Sequence, residues 1–293
     1  MENFRLSTLK KMIIVPLIVA PAIFAQGQDS ESSSLLWKVS GNGLASPSYL
    51  FGTIHALPQS RFFLPDSVEK ALASCEKVVL EIDMDEPGMM SELQQEMLMT
   101  DNALDRILSH DEYELIAKFF IDSLGIPLAP LANVKPMLLT SFMLPKIIGQ
   151  NPASYEGIFV QMAGALGKEV LGLETVQEQI GYIDKVPLDK QAKMLVESII
   201  DFNKSKAEYD AMLTAYETQN IEDIYRYMLE TSNDFKEMEE LLIKNRNHAW
   251  VPRIGKLAKE STCFFAVGSG HLGGSEGVVA LLRQAGYSVI PVF

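Results

Sequence analysis

Histidine and cysteine are scarce in this 293-residue chain, which has four of the first and two of the second. Two cysteines exclude a small fold knitted by disulfides and any zinc cluster built on cysteine alone. Basic residues are the minority charge, 25 Lys and Arg against 38 Asp and Glu. The formal charge of −13 argues against a nucleic-acid partner, which needs a basic surface. No HExxH and no Walker motif occurs, which counts against zincin and P-loop chemistry. Internal repeats, coiled-coil heptads and low-complexity linkers are also missing. What remains is an ordinary globular composition, 47% hydrophobic and 22% charged, with ample chain for a large core.

Residues 1–11 carry Arg5, Lys10 and Lys11 against Glu2 alone, and the apolar run Met12 to Ala25 is broken only by Pro16 and Pro21. It closes on Ala22-Ile23-Phe24-Ala25 and turns polar at Gln26. A basic start, a short apolar stretch and a small-x-small end make residues 1–25 read as a secretory signal peptide. Fourteen apolar residues are few for a membrane-spanning helix, so no membrane span is expected in the mature form. Losing this segment leaves a formal charge of about −15. Ser-rich residues 26–34 read as a flexible leader. The mature protein is expected to be exported, to the periplasm rather than the medium.

Leu35–Val39 and Ser48–His55 flank a turn rich in Gly, Asn, Ser and Pro and predict a hairpin. Lys77–Asp83 and Cys263–Gly268 are near-continuous apolar runs, as interior strands of a parallel sheet require. Glu169–Leu173 is a shorter strand before a helix, and a Ser275–Ala285 helix leads to a last strand, Tyr287–Val292. Long stretches with helical spacing lie between, near 89–166 and 188–259. The pattern predicts an α/β fold: one domain over 35–293, with a mixed, largely parallel sheet formed by both chain ends and large helical insertions.

Two segments share a pattern. Gly52-Thr53-Ile54-His55 and Gly268-Ser269-Gly270-His271 each set a histidine just past an apolar strand. In open α/β sheets ligands bind outside the carboxyl ends of the strands. A glycine there removes a side chain and lets a ligand or neighbouring backbone approach. Glu81 sits in the apolar run Lys77–Asp83, where an unpaired carboxylate is costly and calls for a cation, a metal or strong donors. His55, Glu81 and His271 together make a two-His, one-carboxylate set able to hold a metal and activate water. The alternative at each position is a satisfied core histidine or a buried Glu–Arg pair. Arg246 and Asn247 are candidates to hold Glu81 or a substrate carboxylate. Glu174 either caps a helix or supports the site together with Gln179. His110 reads as a cap-region residue, and His248 as packing.

Cys75 and Cys263 both precede core strands, so export makes a disulfide one expectation and two buried thiols the other. Met84, Met89, Met90, Met97 and Met99 cluster at the start of the first insertion. They read as flexible core filling, with an adaptable apolar groove for peptides as the alternative.

Leu36-Trp37-Lys38-Val39 with Tyr49–His55, then Val79-Leu80-Glu81, Gly172-Leu173-Glu174-Thr175 with Glu178-Gln179, Arg246-Asn247 and Val267–Leu272 follow one another in order. This succession resembles the TraB/PrgY/GumN family over roughly Leu36 to Val292. Lys135-Pro136-Met137 departs from it, since many relatives have Trp after the Pro. The resemblance implies a fold of the erythromycin esterase/ChaN-like group and, through the Tiki proteins, metal-dependent proteolysis. It assigns His55, Glu81 and His271 to the metal or catalytic set, and Arg246, Asn247 and Glu174 to its support. The expected function is an exported metal-dependent hydrolase using Mn, Co or Zn, with a peptide or small exported substrate. The alternatives are a non-catalytic binder of peptide, haem or metal, and a metal-free esterase using a His/Glu pair.

Overall fold

A computed structural model describes residues 34–149, 151–231 and 233–293. The expected signal peptide, and the expected leader except Ser34, lie outside the described residues. One six-stranded sheet comprises β1 (Leu36–Gly41), β2 (Ser48–Thr53), β3 (Lys77–Leu80), β4 (Glu169–Gly172), β5 (Cys263–Gly268) and β6 (Tyr287–Val292). The strands lie in the order β4-β3-β5-β2-β1-β6. Four of them, β4, β3, β5 and β2, are mutually parallel. β1 runs antiparallel to β2 on one side and to β6 on the other, so Leu36 faces both Phe51 and Val292. The α/β class and the mixed, largely parallel sheet expected from the strand pattern are therefore observed.

Sequence pattern follows position in the sheet. β5 lies between β3 and β2 and is buried along most of its length, which is why Cys263–Gly268 is continuously apolar. β6, at an edge, alternates: Tyr287 and Val289 are buried while Ser288 and Ile290 are exposed. β2 and β3 end earlier than their apolar runs suggest, at Thr53 and Leu80. Glu81 thus follows a strand instead of lying within one. The β3–β5 register stops at Val79↔Phe265, and Gly268 donates its N–H to the Glu81 carboxylate at 2.8 Å. The last helix begins only at Val278, after a turn containing Gly273, Gly274 and Gly277.

The sheet core includes Trp37, Phe51, Tyr155, Phe159, Trp250, Phe264 and Phe265. The two insertions share a second core, with Leu104, Ile116, Phe120, Leu139 and Met143 of the first packed on Leu195 and Ile199 of the Leu188–Ile200 helix of the second. The methionine cluster disperses: Met89 and Met99 are buried in separate cores, Met84 and Met90 are exposed, and Met97 reaches a cleft wall. Cys75 and Cys263 are buried, unbonded thiols beside the β3–β5 register pair Lys77↔Cys263. Among the described residues no helix is long and apolar enough to cross a membrane.

Candidate functional site

The parallel strands deliver the candidate residues to one edge of the sheet. His55 lies two residues past β2, Glu81 follows β3 directly, Glu174 lies two past β4, and His271 closes the 3-10 turn Ser269–His271 after β5. Successive parallel strands point the same way, so their carboxyl ends bring together residues far apart in sequence.

Glu81 is buried and fully engaged. Its Oε1 accepts the Gly268 N–H, and its Oε2 accepts Arg246 Nη2 at 2.5 Å and Gln179 Nε2 at 3.3 Å. Burial alone raises its pKa, but the Arg246 charge, then His55, His271 and the Gly268 N–H, hold it well below the usual carboxylate range. Arg246 is buried as well. Its Nε and Nη2 donate to Glu174 Oε1 at 3.1 and 2.6 Å, and its guanidinium lies 4.6 Å from the Trp250 ring centre. Glu174 also accepts from Trp250 Nε1 at 3.0 Å and Gln179 Nε2 at 3.0 Å. The cap of the following helix is Thr175, in a reciprocal capping box with Glu178, so Glu174 belongs to the Arg246 cluster.

His271 is held from both ring nitrogens. The Asn247 amide donates to the His271 and Glu276 carbonyls at 3.2 and 2.8 Å, which turns its oxygen toward His271 Nδ1 at 2.7 Å. Nδ1–H is therefore the donor, and Nε2 keeps a lone pair that accepts from Arg246 Nη1 at 3.2 Å. Burial, followed by the Arg246 charge, lowers the pKa of His271 to about 3, so the ring is neutral.

His55 is the open member, with 69% of its side chain exposed to the cleft. Its Nδ1 donates to Glu156 Oε1 at 3.0 Å, and the same oxygen accepts Thr53 Oγ1 at 2.7 Å. Desolvation by the cleft walls lowers its pKa, but the Glu156 hydrogen bond and the Glu81 and Glu156 charges outweigh this and raise it to about 9. Solvent reaching the ring screens part of that effect.

The glycines of the two GxxH segments serve different purposes. A Cβ on Gly52 would stand 2.7 Å from Leu272 Cδ1 and 3.2 Å from Ser269 Cα, so this glycine lets the Ser269–Leu272 turn pack on β2. A Cβ on Gly268 would meet Glu81 Oε1 at 3.3 Å, His271 Cδ2 at 3.6 Å and His55 Nε2 at 3.7 Å. The three candidate side chains converge on that point. Each imidazole has its Nδ1 held by an oxygen acceptor, the usual support for a histidine that ligates through Nε2. Two imidazoles and a carboxylate suit a divalent metal by donor type. Among the described residues no three such side chains stand closed into a metal-holding group, and the positive charge at Glu81 and His271 comes from Arg246. Displacing Nη1 from His271 Nε2 would leave Arg246 anchored on Glu174.

A profile of the TraB/PrgY/gumN family matches residues 35–291. The chain belongs to that family. Among its curated relatives, Metalloprotease TIKI2 of Danio rerio is 23% identical over 318 residues, which cover 88% of this chain and 61% of that protein. Metalloprotease TIKI1 of Homo sapiens is 22% identical over 319 residues, 89% of this chain and 62% of the relative. Metalloprotease TIKI homolog of Amphimedon queenslandica is 21% identical over 342 residues, 96% and 66%. The chain thus spans under two thirds of the length of the first of these relatives. No solved structure matches it.

In this family member the site includes residues that sequence reasoning missed. Glu156 lies in the first turn of the Tyr155–Ala165 helix, where an acidic residue is so common that it carries no functional signal. Trp250 bonds Glu174 and packs its ring 4.4 Å from that of His271. His110 opens a helix capped by Ser109 and Glu112, and His248 is exposed near Glu276, so neither joins the site. Two further letter patterns overlap the His271 turn: Gly268–Gly273 has GxGxxG spacing and Gly273–Gly277 has GxSxG spacing. Neither has the required context, because no helix opens before Val278 and Ser275 is exposed on a turn outside the cleft.

Proposed function

We propose that this protein is an exported, metal-dependent hydrolase that cleaves peptides at a site made by His55, Glu81 and His271. The observation that carries the reading is the convergence of these side chains on the Cβ position that Gly268 leaves empty. The metalloprotease names of the relatives support the same chemistry. His55, Glu81 and His271 would hold Mn, Co or Zn, which supplies Lewis-acid polarisation of a carbonyl and a more acidic bound water. Two imidazoles suit Zn or Co better than Mn.

The chain's own residues contribute orientation and charge. Glu156 and Asn247 hold the two Nδ1–H groups and so orient both rings, with His55 Nε2 at the Gly268 Cβ position and His271 Nε2 facing Arg246 Nη1. Arg246, anchored by Glu174, keeps Glu81 ionised and fixed. Burial strengthens the charge interactions among Glu81, Glu174 and Arg246, whereas His55 stays open to the cleft.

The test is cleavage of a peptide library by the purified protein loaded with each metal in turn, with elemental analysis of the protein as isolated. We expect stoichiometric metal, loss of activity in chelator, and at least about 100-fold loss in His55→Ala and His271→Ala. Activity unchanged in both variants and in chelator would overturn the proposal. Two observations favour a second reading: Arg246 Nη1 already faces His271 Nε2, and His55 with Glu156 resembles an oriented histidine base. Turnover that resists chelator yet is abolished by His55→Ala would select this metal-free hydrolysis.

A further inference from the structure

The floor of the proposed site opens into a cleft of about 650 Å³ whose walls come from the helical insertions and the Val176–Ile183 helix. Four methionines line it from four separate segments: Met97 beside the Met89–Glu96 helix, Met137 in Pro136–Leu139, Met212 in Phe202–Glu217 and Met228 in Ile221–Thr231. Leucines, isoleucines and two tyrosines fill most of the remaining wall. The charged side chains in the lining are His55, Glu81 and Arg246, and each already has an ionic partner within the site. A second cavity, about 280 Å³, lies against the same His55, Glu81 and Gln179 and continues past Ser154, Glu156 and Met84. His55 and Glu81 therefore stand between a large apolar space and a smaller one.

From this arrangement we infer the substrate class: a peptide that places a large, uncharged apolar side chain in the methionine-lined cleft, next to the scissile bond, with its chain continuing into the smaller cavity. The inference rests on the peptidase reading above. A lysine or aspartate entering the cleft would lose its water and find no free counter-charge, which costs affinity. Leucine, methionine or phenylalanine would lose nothing polar. Methionine walls adapt their shape, so discrimination is by polarity and not by the outline of the side chain.

The experiment uses the full-length exported protein, metal-loaded, with internally quenched pentapeptides that vary only at the central residue. Wild type should favour Leu, Met and Phe over Asp and Lys by at least about 100-fold in kcat/KM, with the three apolar residues within about tenfold of one another. Met212→Glu should narrow the Leu-over-Lys preference by at least about tenfold, and Met97→Glu serves as a second variant should the first fail to fold. Both methionines are half-buried, so a carboxylate there reaches water in the empty cleft. Cleavage without preference, or with preference for charged residues, overturns the inference and leaves the peptidase reading intact. Absence of any cleavage overturns the peptidase reading, and the inference is then decided by binding of dansyl-leucinamide against dansyl-lysinamide. Preferential binding of the leucine probe that Met212→Glu removes upholds an apolar ligand; equal binding refutes it.

Discussion

Replacing Arg246 by methionine removes the one guanidinium shared by two buried carboxylates. Glu81 and Glu174 are each 6% exposed. Glu174 loses its bonds at 3.1 and 2.6 Å but keeps Trp250 Nε1 and Gln179 Nε2. Glu81 loses its 2.5 Å bond but keeps Gly268 N–H and Gln179 Nε2. Breaking one buried ion pair by deleting a partner costs about 3–5 kcal/mol. Because each carboxylate retains two donors and either can take up a proton, the total should stay in that range and not double. For a chain of this size this corresponds to a fall in Tm of roughly 6–20 °C. Urea unfolding followed by circular dichroism gives the measurement, since fluorescence would also report the loss of the Arg246–Trp250 stack. Arg246→Lys should recover little, because one ammonium cannot meet Glu81, Glu174 and His271 together. Arg246→Met combined with Glu174→Gln should be more stable than Arg246→Met alone. A single variant within about 1 kcal/mol of wild type would refute the claim that this guanidinium neutralises both acids.

Other consequences follow from the same geometry. Gly268 has φ −52° and ψ 132°, so alanine meets no backbone strain there. Gly268→Ala should keep stability within about 1 kcal/mol by urea titration while lowering metal affinity at least about tenfold by calorimetry, because its Cβ enters the donor space. Gly52→Ala should instead destabilise by about 1–3 kcal/mol, since Leu272 and Ser269 must move. Glu156→Gln keeps the hydrogen-bonding shape but not the charge and should lower kcat/KM about tenfold, whereas Glu156→Ala, which strands the Thr53 hydroxyl and His55 Nδ1–H, should lower it about 100-fold. Burial pushes the Cys75 thiol up to about 12 and raises Cys263 as well. The thiolate fraction of both is thus small at pH 8, so alkylation of the native protein should be slow there and accelerate only as pH rises toward the raised values. Thiol titration after denaturation without reductant should count two groups, as in the unbonded pair; a count of zero would establish the bridge.

Much of the site could be read locally. The two GxxH segments and Glu81 stand out because a polar residue at the end of an apolar strand is conspicuous against its neighbours. Arg246 and Asn247 are legible as candidates because a buried carboxylate needs a donor, although which of them serves Glu81 and which serves His271 is not. Glu156 is hidden by the ordinariness of an acid in a helix's first turn. The strand ends are hidden too, since apolar patterning continues past Thr53 and Leu80 while hydrogen-bond register does not.

By itself the sequence determined the α/β class, the strands at both chain ends and a short set of candidate site residues. These follow from periodicity, apolar continuity and the cost of burying charge, all of which act on near neighbours along the chain. Only the tertiary structure decided that β5 lies between β3 and β2, and hence that Glu81 and His271 meet beside Gly268. It alone also brought Glu156 to His55 and gathered four methionines from separate segments into one cleft wall. Strand order and helix docking arise from packing between segments distant in sequence, and no local pattern encodes which distant partner each surface will bury.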